Sequence, residues 1–247
     1  MLFLARTQCS GGRQVIALLF IADNMHTKQT IAIIGASGSM GSAIAKSLAK
    51  GNYRLLLDSK NVARLNELVT EIMTGVPNAD LEITSCSMNA GWEADIIVVA
   101  VPYNSEKEIA EKIREVANQK IVISISNPLN GTYDGLLTEL HTSAAEELQK
   151  MLPNSKVIKA FNTNFAANFN SPIIDGSQVD SFLAGDDAVA LSTVSQLVET
   201  AGFNPIVAGG LVVSRTLENM QLLLIQLGLK YNYNRHAGWK IIHHQIK

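Results

Sequence analysis

The segment Gly35-Ala36-Ser37-Gly38-Ser39-Met40-Gly41 speaks most directly to chemistry. Its three glycines follow an apolar run, IAIIGAS over 31–37, and open an amphipathic stretch over 39–50. Glycine lets the backbone turn tightly and approach a pyrophosphate without a Cβ in the way. The helix that follows offers unpaired N–H groups and the positive end of its dipole. A glycine triplet alone marks any tight turn. Strand, turn, helix, second strand and terminal acid in that order mark a dinucleotide site. The acid is Asp58, at the end of YRLLLD (53–58). A carboxylate there accepts hydrogen bonds from the adenosine ribose of NAD; it could equally cap the next helix. Ser59 and Lys60 follow, a hydroxyl and a cation suited to the 2′-phosphate of NADP. The two signals select different nucleotides, and both NAD and NADP stay open.

Three further clusters fall at strand ends, where an open α/β sheet binds its ligands. Val101-Pro102-Tyr103 ends the run ADIIVVAVP (94–102), and its residues are candidates to pack on the cofactor. Ser126 is a further candidate cofactor contact at the end of KIVISISNP (120–128), and Asn127 and Pro128 are candidate substrate contacts. Asn162 follows KVIKAF (156–161) and could donate its amide N–H to a substrate carbonyl or a flavin edge, or satisfy loop backbone. No residue is assigned a catalytic acid, base or nucleophile. Hydride transfer between two rings needs only their alignment and the exclusion of water. No metal site is expected: Cys9 and Cys86 stand in no Cys/His cluster, and the His243-His244 pair reads as solvated.

Apolar strands alternate with amphipathic helices from Thr30 onward. Strands are expected at 31–37, 53–58, 81–84, 94–102, 120–128, 156–161, 180–185 and 204–209. Helices are expected at 39–50, 63–73, 105–116, 143–151, 187–201 and 216–227. The fourth of these helices opens with Ser143 and Glu146 in capping-box spacing. The pattern predicts a doubly wound, mostly parallel α/β sheet of the Rossmann-like NAD(P)-binding type, with helices on both faces. The expected organisation is an N-terminal extension over 1–29, a nucleotide-binding domain over 30–209, and a helix and tail over 210–247. Met25 opens a run that reads as an ordinary start, so residues 1–24 are expected to be an upstream extension. The stripe Leu217, Met220, Leu223, Leu224 and Leu227 on the last helix could pack a homodimer or the core.

Composition narrows the field. At 247 residues, 47% hydrophobic and 17% charged, the chain is too apolar to be disordered. A net charge of -2 with 6% aromatics and no basic run argues against nucleic acid. The apolar run over 15–22 is far short of a membrane span. A cytoplasmic protein acting on a small molecule is expected.

The chain resembles the family of NADPH-dependent deazaflavin oxidoreductases, which are related to the cytosolic part of membrane ferric reductases. The resemblance rests on GASGSMG (35–41), DSK (58–60), AVPY (100–103), KAFNT (159–163), AGDD (184–187), AGGLVVSRTLE (208–218) and GWKI (238–241). It implies pyrophosphate on the glycine loop, 2′-phosphate on Ser59-Lys60, and a flavin or deazaflavin as second substrate. The position facing that substrate, a histidine in familiar members, falls on Asn162. Ser214-Arg215 and Glu218 match a helix start with structural ion pairing. Two other classes fit parts of the chain. Imine or ketone reductases share the nucleotide domain, but only about 38 residues follow Gly209, too few for their helical C-terminal domain. A redox sensor that binds NAD(P) without turnover is the other.

Overall fold

The computed structural model describes residues 28–233 and 235–244. The N-terminal extension expected over 1–29 therefore lies almost wholly outside the described residues.

The first half alternates strand and helix. It runs β1 (Gln29–Ile34), α1 (Ser39–Leu48), β2 (Tyr53–Asp58), α2 (Val62–Gly75), β3 (Asp80–Thr84), α3 (Ser87–Glu93), β4 (Ile96–Val99), α4 (Tyr103–Ile113), β5 (Ile121–Ser124), α5 (Ala144–Met151) and β6 (Lys156–Lys159). A 3₁₀ turn (Ala166–Phe169) and a small hairpin, β7 (Ile173–Ile174) with β8 (Ser177–Gln178), lead to β9 (Asp180–Gly185), α6 (Ala188–Thr200) and β10 (Asn204–Gly209). A second 3₁₀ turn (Leu211–Val213) opens into the long helix α7 (Ser214–Tyr231).

Eight strands form one sheet in the order β10-β9-β6-β5-β4-β1-β2-β3. The six strands β1 to β6 are parallel throughout. β9 runs antiparallel to β6, and β10 lies parallel to β9. The order reverses between β1 and β4, so the crevice of the sheet opens at their carboxyl ends.

β1 and β4 are buried on both faces because helices cover both. Ile31 and Ile33 pack with α1, α2 and α6, while Ala32 and Ile34 pack with α3, α4 and α5. This two-sided burial is why these strands read as continuous apolar runs.

Boundaries moved where side chains alone could not fix them. The strand expected over 94–102 ends at Val99, because Ala100 to Pro102 turn out of the ladder to meet the glycine loop. The helix expected from residue 105 begins at Tyr103, since Pro102 supplies its N-cap. α3 has only seven residues, too few to show a helical period, and the sequence reading passed it over.

α7 lies against α5 and the buried ends of β6 and β9. The expected stripe on it divides. Leu217 and Leu224 enter the core, whereas Leu223 stays outside. Beyond α7 the chain doubles back, and Trp239 bridges to Asp180 at the start of β9. The buried Asp180 carboxylate accepts from the Ile241 N–H at 2.6 Å, Lys240 Nζ at 2.8 Å and Asn204 Nδ2 at 2.7 Å. Burial pushes this carboxyl up, but these three donors outweigh it and leave it below the usual carboxylate range. No helix among the described residues is long and apolar enough to cross a membrane.

Candidate functional site: two cavities divided by the glycine loop

The glycine loop is fixed from behind. The N–H groups of Gly35 and Ala36 both donate to the Asp58 carbonyl, at 2.8 and 3.0 Å. Gly35 has φ +92°, and a Cβ there would lie 2.3 Å from the Ala100 carbonyl oxygen. A Cβ on Gly41 would lie 2.3 Å from the Gly35 carbonyl oxygen. The first glycine thus permits the turn, and the third lets α1 close onto the loop. Gly38 is the N-cap of α1, and no side chain caps the helix. The first N–H groups of α1 are left to an anion.

The loop separates two cavities of about 630 Å³ each. The first cavity lies on the β2 side. Gly35, Ser37, Gly38, Asp58, Ser59, Lys60, Val101 and Pro102 line it, all expected from the sequence. The structure adds Ser85 to Met88 from the β3–α3 junction, and Ser105, Glu108, Ile109 and Lys112 from α4. Asp58 is buried, and one carboxylate oxygen accepts from the Ser87 hydroxyl at 2.5 Å. Its burial pushes its pKa up, with Ser87 and Lys112 pulling the other way. The alternative role of Asp58 as a helix cap is not taken: Asn61 caps α2, accepting from the Arg64 N–H. Ser37 and Ser59 hydroxyls meet at 2.5 Å, joining the loop to the segment after β2.

The second cavity lies on the β5–β6 side, beneath α7. Ser39, Met40, Asn127 and Asn162 line it as expected. Ile125, Leu129, Tyr133, Phe161, Asn164, Phe165, Gln221 and Arg235 are new. Asn162 is anchored: its amide donates to Asn127 Oδ1 at 2.9 Å and to the Leu217 carbonyl at 3.0 Å. Asn127 returns a bond to the Asn162 carbonyl at 3.0 Å. The side-chain oxygens of Asn162, Asn164 and Gln221 are buried without partners. Phe161, just before Asn162, has φ +61° and is fully buried. For a bulky side chain this is a strained backbone, of the kind that collects at ligand sites.

Five expected site residues line neither cavity. Ala36 and Gly41 are buried behind the loop. The Tyr103 hydroxyl donates to Glu147 of α5 at 2.6 Å rather than facing the cleft, and burial with this carboxylate raises its pKa. Pro128 is buried, its carbonyl accepting from Leu137 N–H at 2.6 Å. Ser126 is buried, and its carbonyl accepts from Lys159 Nζ at 2.5 Å.

Lys159 opens onto a buried cluster in which the sequence marked Arg215 and Glu218 but not their partners. It pairs with Glu218 of α7 at 2.7 Å, both side chains fully buried. Glu218 also accepts from the first N–H groups of α5, Ala144 at 3.1 Å and Ala145 at 3.4 Å. Next to it, Arg215 clasps Glu146 at 2.6 and 2.8 Å. This is the structural pairing expected of Arg215 and Glu218. Glu106, in the first turn of α4, completes the cluster. Burial pushes its carboxyl up to about 7, Lys159 and Ser126 pull it down, and Glu218 and Glu147 push it up further. The cluster ties α4, which walls the first cavity, to the Ser126–Asn127 segment, which reaches the second.

A glycine loop at the reversal point of a 3-2-1-4-5-6 sheet defines a dinucleotide-binding fold of the Rossmann type. Residues 30–128 match the family model described as NADP oxidoreductase, coenzyme F420-dependent, and along them the chain is similar to that family. It is 26% identical to an F420-dependent NADP reductase of Methanothermobacter thermautotrophicus, over 85% of this chain and 94% of that protein. It is 28% identical to one of Methanocaldococcus jannaschii, over 87% of this chain and 99% of the relative. The crystal structure of a putative F420-dependent NADP reductase from an Arthrobacter species shares the fold, with TM-score 0.75, 23% identity, and coverage of 86% of this chain and 99% of that one.

Proposed function

We propose that the chain transfers a hydride between C4 of the NADP nicotinamide and the ring of a deazaflavin of the F420 type. The pair of equal cavities meeting at one glycine loop carries this reading. The first would hold the adenosine half of the dinucleotide, with pyrophosphate on the N-terminus of α1. The nicotinamide would cross beside Ser39 and Met40 into the second cavity, where the acceptor ring stacks. Ile125, Phe161, Phe165 and Ile225 in its lining would pack on the ring, and the bound ring would displace water from the transfer. When bound, the two cofactors supply the redox chemistry. The chain binds them, aligns them and keeps the site dry.

The site residues proposed are those lining the two cavities, with Asn162 positioning the acceptor. The exposed Leu223 on α7 is proposed to pack against a second copy of the chain, and the cytoplasm is the proposed location. The test is anaerobic mixing of NADPH with oxidised F420. Loss of deazaflavin absorbance at the rate of NADPH oxidation is expected. Tight NADPH binding with no transfer to any flavin or deazaflavin would overturn the acceptor assignment. Sedimentation velocity of the wild type and Leu223→Glu checks the dimer.

A further inference from the structure

The first cavity carries an arrangement that the glycine loop does not explain. Glu108 on α4 is held between two lysines from different parts of the chain. Its carboxylate accepts from Lys112 Nζ, one turn further along α4, at 2.6 Å. Lys60 Nζ, from the segment after β2, stands 3.4 Å from both of its oxygens. All three line the cavity together with Ser59 and Asp58. The cavity thus has two cations converging on one oxyanion at the place where the second strand ends.

We propose that Lys112 of α4 joins Lys60, the lysine the family resemblance already points to, on the 2′-phosphate of NADP, and that the Glu108 carboxylate holds the place of that phosphate until the nucleotide enters. The proposal rests on assigning this cavity to the adenosine half of the cofactor. The exchange is favoured by charge and exposure. A phosphate monoester near neutrality carries more than one negative charge and three acceptor oxygens, whereas the carboxylate carries one charge and two oxygens. The ion pair it displaces is exposed, with Lys60 83% and Lys112 and Glu108 each 48% accessible. Such pairs hold weakly. Asp58, which would repel a phosphate if free, is buried with one oxygen committed to Ser87, and Lys112 lies close enough to offset its charge. The acid that pointed to NAD and the lysine that pointed to NADP are thereby reconciled: Asp58 serves the wall of the cavity and the lysines serve the phosphate.

The experiment is competition of 2′,5′-ADP and 5′-AMP against NADPH fluorescence, with direct titrations of NADPH and NADH, on wild type, Lys112→Met and Glu108→Gln. Wild type is expected to prefer 2′,5′-ADP over 5′-AMP. Lys112→Met should lose about tenfold for NADPH and 2′,5′-ADP, the weight of one charge-assisted contact, and leave NADH and 5′-AMP within about twofold. Glu108→Gln, which removes the competing charge and keeps an oxygen for Lys112, should tighten NADPH and spare NADH. Equal losses for both nucleotides in Lys112→Met would overturn the clamp, and weaker NADPH binding by Glu108→Gln would overturn the place-holding role. Wild type that binds both nucleotides equally would overturn the clamp alone. Wild type that binds neither would overturn the cavity assignment, and the clamp with it.

Discussion

The two cavities have the same volume and share one loop, yet they are built in opposite ways. The first cavity carries lysines, a glutamate and serine hydroxyls in its wall, several of them exposed and free to rearrange. The second is lined by amides, two of which commit their donors to backbone carbonyls, by Phe161 and Phe165, and by Arg235, the one cation that lines it among the described residues. A group that only has to anchor a charge can sit on long, mobile side chains. A ring that must meet another ring at near-attack distance needs rigid walls, because small misplacements cost large factors in rate.

The loop they share is where the largest effect is expected. Gly35→Ala places a methyl group 2.3 Å from the Ala100 carbonyl oxygen at φ +92°. The strained backbone alone costs about 1–3 kcal/mol, and relief of the clash must move the loop. Nucleotide affinity and acceptor turnover should both fall by an order of magnitude or more, as titration and steady-state assays would show. A loss confined to one side would mean that the cavities are not joined through this loop.

An effect on stability rather than on the site, of opposite sign in two variants, is expected from the buried cluster beneath both cavities. Glu218→Gln leaves Lys159 facing a carboxyl that prefers its proton, and should destabilise by about 3–5 kcal/mol, the usual cost of breaking a buried pair. Glu106 works the other way. Its folded pKa, about 7, lies above the ordinary value of 4.5, so the folded state holds the proton more tightly than the unfolded state. This proton-linked stability is full below about pH 4.5 and is lost as pH rises through about 7. Glu106→Gln should therefore match wild type at about pH 4 and exceed it at about pH 8, by roughly 3 kcal/mol at the limit of that shift. Urea melts of both variants at the two pH values check this. A gain that does not grow with pH would remove Glu106 as the titrating group.

The smallest effect sharpens the contrast between the walls. Arg235→Gln removes the one cation that lines the second cavity among the described residues. It should raise the KM for an anionic deazaflavin several-fold, the order of one hydrogen bond to a charged group, and leave a neutral deazaflavin riboside unaffected. Added salt should erase the difference. Equal effects on both acceptors would show that Arg235 only packs the wall.

Much of the first cavity was legible because its signals are local. The glycines, Asp58, Ser59 and Lys60 lie within 26 residues of one another and follow strand periodicity. Its α4 wall was not legible. Glu108 and Lys112 are spaced as an ordinary surface ion pair on a helix, and only the fold brings Lys60 to them. The second cavity was half legible. Asn127 and Asn162 stand at strand ends, whereas Asn164, Gln221 and Arg235 arrive from a loop, a helix and the returning tail. Lys159 and Glu218 are 59 residues apart, and nothing local to either announces a partner. The reversal of β9 was also hidden, because an apolar run carries no mark of its direction.

The tie between Asp180 and residues 239–241 has a consequence for how the chain is made. A carboxylate buried at the start of β9 waits for Lys240 and for the Ile241 N–H, 60 and 61 residues downstream. Chains emerge from the ribosome at about 5–20 residues per second. The contacts among β1 to β6 thus become possible seconds before those that tie the start of β9 to the returning tail, and this edge can close only once residues 240 and 241 have been made.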